Sequence, residues 1–295
     1  MSEGLDRTPA AVVDTARAVE LDGNDRDPHS VEVVVADAHA TGDATRTETG
    51  YEGPDAVACG HLAAALAVAD AVEGVRVHHG DVDLTRDGPW LVLAPLSGFV
   101  ATVATGTATA TVTVPLDGDP RRVRPVRERL DSVLAAARAR HDHYPVADDD
   151  RGVFRTGLTT LSVSEVTVTD DLRVRFDVST TPATTQSELA ERFRTGIPVD
   201  EAAVDVDLEF QVGVERASPS AALREAVEDA HRAVVGDAGY EWLPRPTVFS
   251  RLPAPEKVAF GAGRPGDRFD HDDFERTRDL LERVVDRLQQ PEESR

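Results

Sequence analysis

Val258-Ala259-Phe260-Gly261-Ala262-Gly263-Arg264-Pro265-Gly266-Asp267-Arg268-Phe269-Asp270-His271 decides how the rest of this chain is read. Its apolar opening predicts a buried strand and its glycine-rich middle a turn. The Asp270-His271 pair opens a helix from about Asp272 to Leu288, with Phe274, Leu281, Val284, Val285 and Leu288 inward. A strand end beside a helix N-terminus is where α/β proteins gather functional groups, so the segment predicts an active-site loop. The spacing Gly261-x-Gly263-x-x-Gly266 matches a dinucleotide fingerprint by letter only. It follows the last strand, with no βαβ unit after it, so no nucleotide cofactor is expected. Arg264 or Arg268 beside the turn could instead hold an anion.

Outward from this segment the chain has two styles. Near both ends the apolar runs are continuous, as in strands buried on two faces. Val31 to Ala36, Val75 to His79, Trp90 to Ala94, Thr247 to Ser250 and Lys257 to Phe260 read as such strands. Thr8-Pro9 opens a first helix, Asp22 to His29 is a linker, and Asp37 to Pro54 reads as a loop. Leu62 to Val72 is an alanine-rich helix, apolar nearly all round. Another helix runs from Ser218-Pro219 to Val235, followed by a loop holding Trp242 and Pro244. In the middle the style is alternation. Phe99 to Val114 reads as one long half-exposed strand, with Thr156 to Val168, Leu172 to Val178 and Val204 to Val214 like it. Helices at Pro120 to His141 and from the Thr185/Glu188 capping box to Gly196 separate them. The order β-α-β-β-α-β is that of a ferredoxin-like unit. The expected organisation is an α/β domain from residues 1–95 plus 215–295, interrupted by an inserted ferredoxin-like domain at 96–214.

Composition bounds the function. The 295 residues carry a net charge of −22, dispersed along the chain, and Lys257 is the only lysine. A dispersed acidic surface almost without lysine is expected of a protein from salt-rich cytoplasm, where screening removes the self-repulsion. It argues against nucleic acid as a partner, which needs clustered cations. No run of eighteen apolar residues suggests a membrane span, and Met1 to Asp6 lacks a secretory core, so a cytoplasmic location is expected. The single cysteine, Cys59, sits in an apolar setting and reads as a buried thiol.

The layout and three strings resemble the co-catalytic zinc amidohydrolase family, which includes acetylornithine deacetylase, succinyl-diaminopimelate desuccinylase and a carrier-protein-linked lysine/ornithine hydrolase. Gly60-His61-Leu62-Ala63-Ala64 is similar to the family's helix start after its bridging aspartate. Ser97-Gly98-Phe99 is similar to the entry of its inserted domain, and Phe260-Gly261-Ala262-Gly263 with Asp270-His271 to its late glycine and Asp-His strings. The resemblance implies a zinc-aminopeptidase-like three-layer α/β/α domain with an inserted ferredoxin-like lid or dimerisation domain. It also implies a zinc pair sharing a bridging carboxylate and a water that a glutamate deprotonates.

The ligand inventory departs from that pattern. His-x-Asp becomes Asp37-Ala38-His39, the bridging aspartate falls on Val57 with Asp55 two residues away, a further acid becomes Thr85, and the Glu-Glu pair has no counterpart. Only His271 stands where a ligand should. Asp37, His39 and His271 are therefore the candidate metal ligands of a degenerate site. His78-His79 on one strand point to opposite faces, and His141-Asp142-His143 reads as a solvated helix end. The expected function is a non-catalytic binding, regulatory or assembly protein that has lost its zinc pair. It is expected to pair with itself or with an active relative through the inserted domain, for example along the Val204 to Val214 edge. The alternative is a rewired hydrolase, with zinc held by Asp37, His39 and His271, cleaving an amide of an amino acid or of carrier-linked lysine or ornithine. No catalytic base is nominated.

Overall fold

A computed structural model of the chain describes residues 9–12, 30–35, 44–78, 89–115, 160–180, 205–237, 239–243, 247–264 and 268–290, with single positions at 131, 187, 191 and 266. In chain order the strands are β1 (Val31–Val35), β2 (Thr45–Thr47), β3 (Gly50–Glu52), β4 (Val75–His78), β5 (Trp90–Leu93), β6 (Val100–Ala104), β7 (Gly106–Pro115), β8 (Thr160–Val168), β9 (Asp171–Thr180), β10 (Asp205–Val212), β11 (Glu215–Arg216), β12 (Tyr240–Leu243), β13 (Lys257–Phe260) and β14 (Arg268–Asp270). The helices are α1 (Ala56–Ala71), α2 (Ala221–Val234), α3 (Val248–Arg251) and α4 (His271–Gln289). The chain divides into two compact units, residues 1–103 with 216–243 and 247–295, and residues 104–215 with 244–246.

The first unit is an α/β body, as its apolar runs predict. Its large sheet runs β11-β6-β13-β5-β1-β4, with β12 also on β6. β13, β5, β1 and β4 are parallel, so all four end at one edge of the sheet. Val33, Leu91 and Val258 lie in one cross-strand row, and they join Leu62 and Leu66 of α1, Val227 of α2 and Leu281 and Val284 of α4 in one apolar cluster. The neighbouring row, Glu32, Trp90 and Lys257, faces the other way and is buried as well. Burial on both faces is why these strands show no alternation. Buried Glu32 is satisfied by the Ser30 hydroxyl at 3.0 Å, by a short contact to His78 Nε2, and by Arg76 at 3.8 Å. The only lysine is not on the surface. Lys257 is 0% exposed, donates to the Leu252 carbonyl, and lies 4.8 Å over the Phe249 ring.

The second unit holds the alternating strands. Its sheet runs β10-β7-β9-β8, every pair antiparallel. Counted along the unit, that is fourth-first-third-second, the strand order of a ferredoxin-like sheet. On β9, Leu172, Val174, Phe176 and Val178 are buried while Arg173, Arg175 and Asp177 are exposed, as period-two patterning requires. The expected helices at 120–141 and 185–196 lie outside the described residues, except that Asp131, Ser187 and Glu191 are helical.

Four elements differ from the sequence reading. Phe99 to Val114 is two strands: β6 pairs with β13, and β7 starts a different sheet after buried Thr105. Alternation is the same on both sides of that break, so it cannot report a change of partner. Gly106 makes the crossing fit, because a Cβ there would stand 2.5 Å from both Thr180 Oγ1 and the Val212 carbonyl. Thr247 to Ser250 is not a strand; Thr247 caps the single turn α3 by accepting from the Phe249 N–H at 3.2 Å. Tyr240 to Leu243, expected in a loop, is β12. The second half of the Asp37 to Pro54 loop forms the β2-β3 hairpin, whose β3 pairs with β14. No described helix is long and apolar enough to cross a membrane.

Candidate functional site

The shared end of the parallel strands is closed by two interlocked turns. After β5, Ala94 N–H donates to the Phe260 carbonyl at 2.9 Å; Ser97 N–H then reaches the Gly263 carbonyl at 2.8 Å, and Gly98 N–H the Gly261 carbonyl at 3.1 Å. Ser97 adopts φ 53°, a left-handed backbone unusual for a residue with a side chain, and its hydroxyl also donates to Gly263 at 3.3 Å. Gly261 admits no side chain, because a Cβ would lie 2.5 Å from the Ala94 carbonyl and 2.9 Å from His61 Nε2.

The peptide of Ala262 is gripped from two helices. Its N–H donates to Thr277 Oγ1 of α4 at 3.2 Å, and its carbonyl accepts from His61 Nε2 of α1 at 2.9 Å. A carbonyl only accepts, so the network assigns the imidazole proton to Nε2. Nδ1 has no hydrogen-bond partner among the described residues. Burial pushes the His61 pKa down to about 4, partly offset by the bond to Ala262. The ring packs edge-on to Phe269 at 5.0 Å. Phe269 in turn fits only because residue 60 is glycine: a Cβ there would fall 2.0 Å from its ring.

Outside this clasp lies a cleft of about 320 Å³ between Ser97-Gly98, Ala262 to Arg264, Arg268, Asp270, Asp273 and Arg276. Asp270 Oδ1 caps α4 by accepting from the Asp273 N–H at 3.0 Å. The Asp273 carboxyl is pushed up, first by burial and then by neighbouring Asp270, against the pull of Arg276 and the Gly263 N–H. Arg264 and Arg268 are exposed, and neither forms an ion pair among the described residues. In a chain of net charge −22, unpaired guanidinium groups around one cleft are unusual, and they offer planar donors to an anion.

With this geometry, the solved structures supply the comparison. No protein-family model matches the chain, and no curated protein matches it. The M20 family metallo-carboxypeptidase Sso-CP2 of Sulfolobus solfataricus superposes with a TM-score of 0.57 at 10% identity, covering 97% of each chain. The di-peptidase Dug1p of Saccharomyces cerevisiae superposes with a TM-score of 0.61 at 11% identity, over 91% of this chain and 82% of that one. YXEP of Bacillus subtilis, a dinuclear metal binding peptidase from the M20 family, gives a TM-score of 0.52 at 10% identity, over 87% and 80%. The fold is that of the M20 metallopeptidases. At these identities the likeness establishes the M20 fold alone.

The residues nominated from sequence distribute unevenly on the M20 fold. Asp37 and His39 lie outside the described residues, as do Thr85, His79 and the His141-Asp142-His143 string. His271 is the first residue of α4, its side chain 55% exposed and its Nε2 4.0 Å from Glu275. Val57 is buried in the first turn of α1, and Asp55 precedes that turn without a side-chain capping bond. Cys59 is buried and its thiol is pushed up to about 12, by burial and then by Asp55, so it is no nucleophile. Among the described residues no three His, Cys, Asp or Glu side chains converge as a metal site. That donor set does not fit a zinc pair, which needs several carboxylate and imidazole ligands around each ion. Arg264 and Arg268 do line the cleft. Sequence reading missed His61, Thr277, Arg276 and Asp273. The available signal was a lone histidine inside an alanine-rich helix that is apolar all round.

Proposed function

We propose that this chain is a non-catalytic binding protein on the M20 scaffold, whose cleft beside the Gly261–Gly263 turn takes a small anion such as a carboxylate. One observation carries the reading. At the strand ends the described side chains that could coordinate are absent or already used, His61 by the Ala262 carbonyl, while Arg264 and Arg268 are left without ion pairs. A guanidinium binds a carboxylate through two parallel hydrogen bonds, and three arginines around about 320 Å³ suit a ligand of a few heavy atoms. In molar salt the Debye length is about 3 Å, so the distant acidic surface is screened and these local cations decide the affinity.

A second reading, the rewired hydrolase, has one observation in its favour. β1 is parallel to β5, which is parallel to β13, so the chain leaves β1 two residues before Asp37 at the same sheet edge as the glycine turn. Zinc there would polarise an amide carbonyl and acidify a water, and His271 is exposed enough to contribute.

The two readings separate in one preparation. Protein purified in molar KCl is analysed for bound metal, and its melting temperature is followed against succinate and against phosphate. The binding reading expects less than one zinc per chain and a ligand-dependent rise of melting temperature. Two tightly held metal ions per chain, or hydrolysis of an acylated amino acid that His271→Ala abolishes, would overturn it.

A further inference from the structure

We propose that the free edge of β8 is a docking surface for a second copy of this chain, which adds its own β8 antiparallel and continues the four-stranded sheet across a two-fold axis. The inference stands apart from the cleft and survives or fails without it.

The sheet β10-β7-β9-β8 has two edges. Each edge strand presents a row of backbone N–H and C=O groups that no strand of the sheet pairs. The two edges differ in what flanks that row. On β8, Val163, Val166 and Val168 are 45%, 43% and 41% exposed. Their cross-strand neighbours on β9 are Phe176, Val174 and Leu172, exposed 1%, 0% and 0%. Paired residues of adjacent strands point to the same face, so the three valines continue the buried face of the sheet and are cut off at its edge. A further strand would extend that apolar layer.

Charge selects the edge and the occupant. β10 carries Asp205, Asp207 and Glu209, all exposed, facing Thr113, Thr111 and Thr109 on β7. Two copies of β10 would bring rows of carboxylates together, a like-charge arrangement that guards an edge. β8 carries one charged residue, Glu165, opposite Arg175, with Arg173 opposite Thr167. Its single carboxylate is already next to a cation. In a chain of net charge −22, two copies approach most easily where acid is sparse, and β8 is such a place. A basic partner protein would be drawn to the acidic surface instead. The sequence alone points to the 204–214 edge for such pairing, and the distribution of charge moves it to the opposite edge. The register shift between Val163 and Glu165 bends β8, which confines regular pairing to 165–168, the part holding Val166 and Val168. Pairing identical strands about a two-fold consumes both free edges, so assembly stops at two.

The test is light scattering on the full chain in molar KCl across a concentration series. A mass of two chains is expected, with Val166→Asp and Val168→Asp each raising the dissociation constant about tenfold or more. Asp207→Ser on β10 is expected to leave the mass unchanged. Should the aspartate variants fold poorly, Val166→Thr with Val168→Thr keeps the strand and still weakens the pair. A chain that stays monomeric at every concentration overturns the proposal. So does a dimer that ignores the β8 substitutions, or one that Asp207→Ser alone disturbs.

Discussion

On the inner side of the Gly261–Gly263 turn the groups are buried and committed, whereas on its outer side Arg264 and Arg268 face solvent without ion pairs among the described residues. The inner side is His61, Thr277, Gly60 and Phe269, holding one peptide from both ends. Its energetics are those of a core: a lost hydrogen bond or an added methyl has nowhere to relax. The outer side is a rim of long, hydrated side chains around a cleft. Rigid scaffold under an adaptable charged rim is how loops are made to recognise ligands. The contrast teaches that the glycines of this segment serve packing, and that recognition falls to the arginines.

The sharpest way to break the contrast is to add one carbon on the inner side. Gly261→Ala meets both a φ of 153° and a carbonyl 2.5 Å from the new Cβ, and it is expected to cost about 4 kcal/mol. Gly236→Ala is the comparator: its φ is 92°, but open space surrounds it, so about 1 kcal/mol is expected. Urea unfolding in molar KCl measures both. If Gly261→Ala costs no more than Gly236→Ala, the inner side is not rigid.

Next in size is a pH effect at the same turn. The His61 pKa is down to about 4 in the folded chain and near its ordinary 6.5 in the unfolded one. As pH falls through 6.5 the unfolded chain takes a proton that the folded chain refuses. The stability contributed by His61 is therefore complete above pH 6.5, is lost between 6.5 and 4, and changes no further below. The loss amounts to about 3 kcal/mol. His231, also lowered chiefly by burial, acts in the same direction, while Asp273, raised chiefly by burial, opposes it at the acid end. His61→Gln keeps a donor for the Ala262 carbonyl but cannot titrate, so it should flatten this part of the unfolding profile. A profile identical to the wild type's would remove His61 from the clasp.

Legibility in the sequence followed how each element is held. β13 and α4 could be read to within a residue, because Pro255 and the glycines bound the first and an Asp cap with a regular apolar stripe defines the second. β9 was equally plain, since one face is wet. The β6/β7 break was hidden because Thr/Val alternation continues while the partner sheet changes. α3 was misread because a single capped turn has no period to show. For the site, the position of the glycine turn and the two arginines beside it were legible. The grip of His61 and Thr277 on Ala262 was not, since it joins residues 201 and 15 positions apart through tertiary packing alone. His271 drew notice by its place in a string, yet its side chain turns to solvent and Glu275.

The smallest effect on stability is expected on the outer side, and there the change in binding carries the information. Arg268 and Arg276 are exposed and lie in the rim of the cleft, so replacing both with Gln should alter unfolding free energy by less than about 0.5 kcal/mol. The same double variant should lose the rise in melting temperature that succinate or phosphate gives the wild type, because the planar donors for the anion are gone. Calorimetric titration alongside the melting curves separates loss of binding from loss of fold. A double variant that binds the anion as well as the wild type would mean that the rim is ordinary surface, and the contrast between the two sides of the turn would reduce to burial alone.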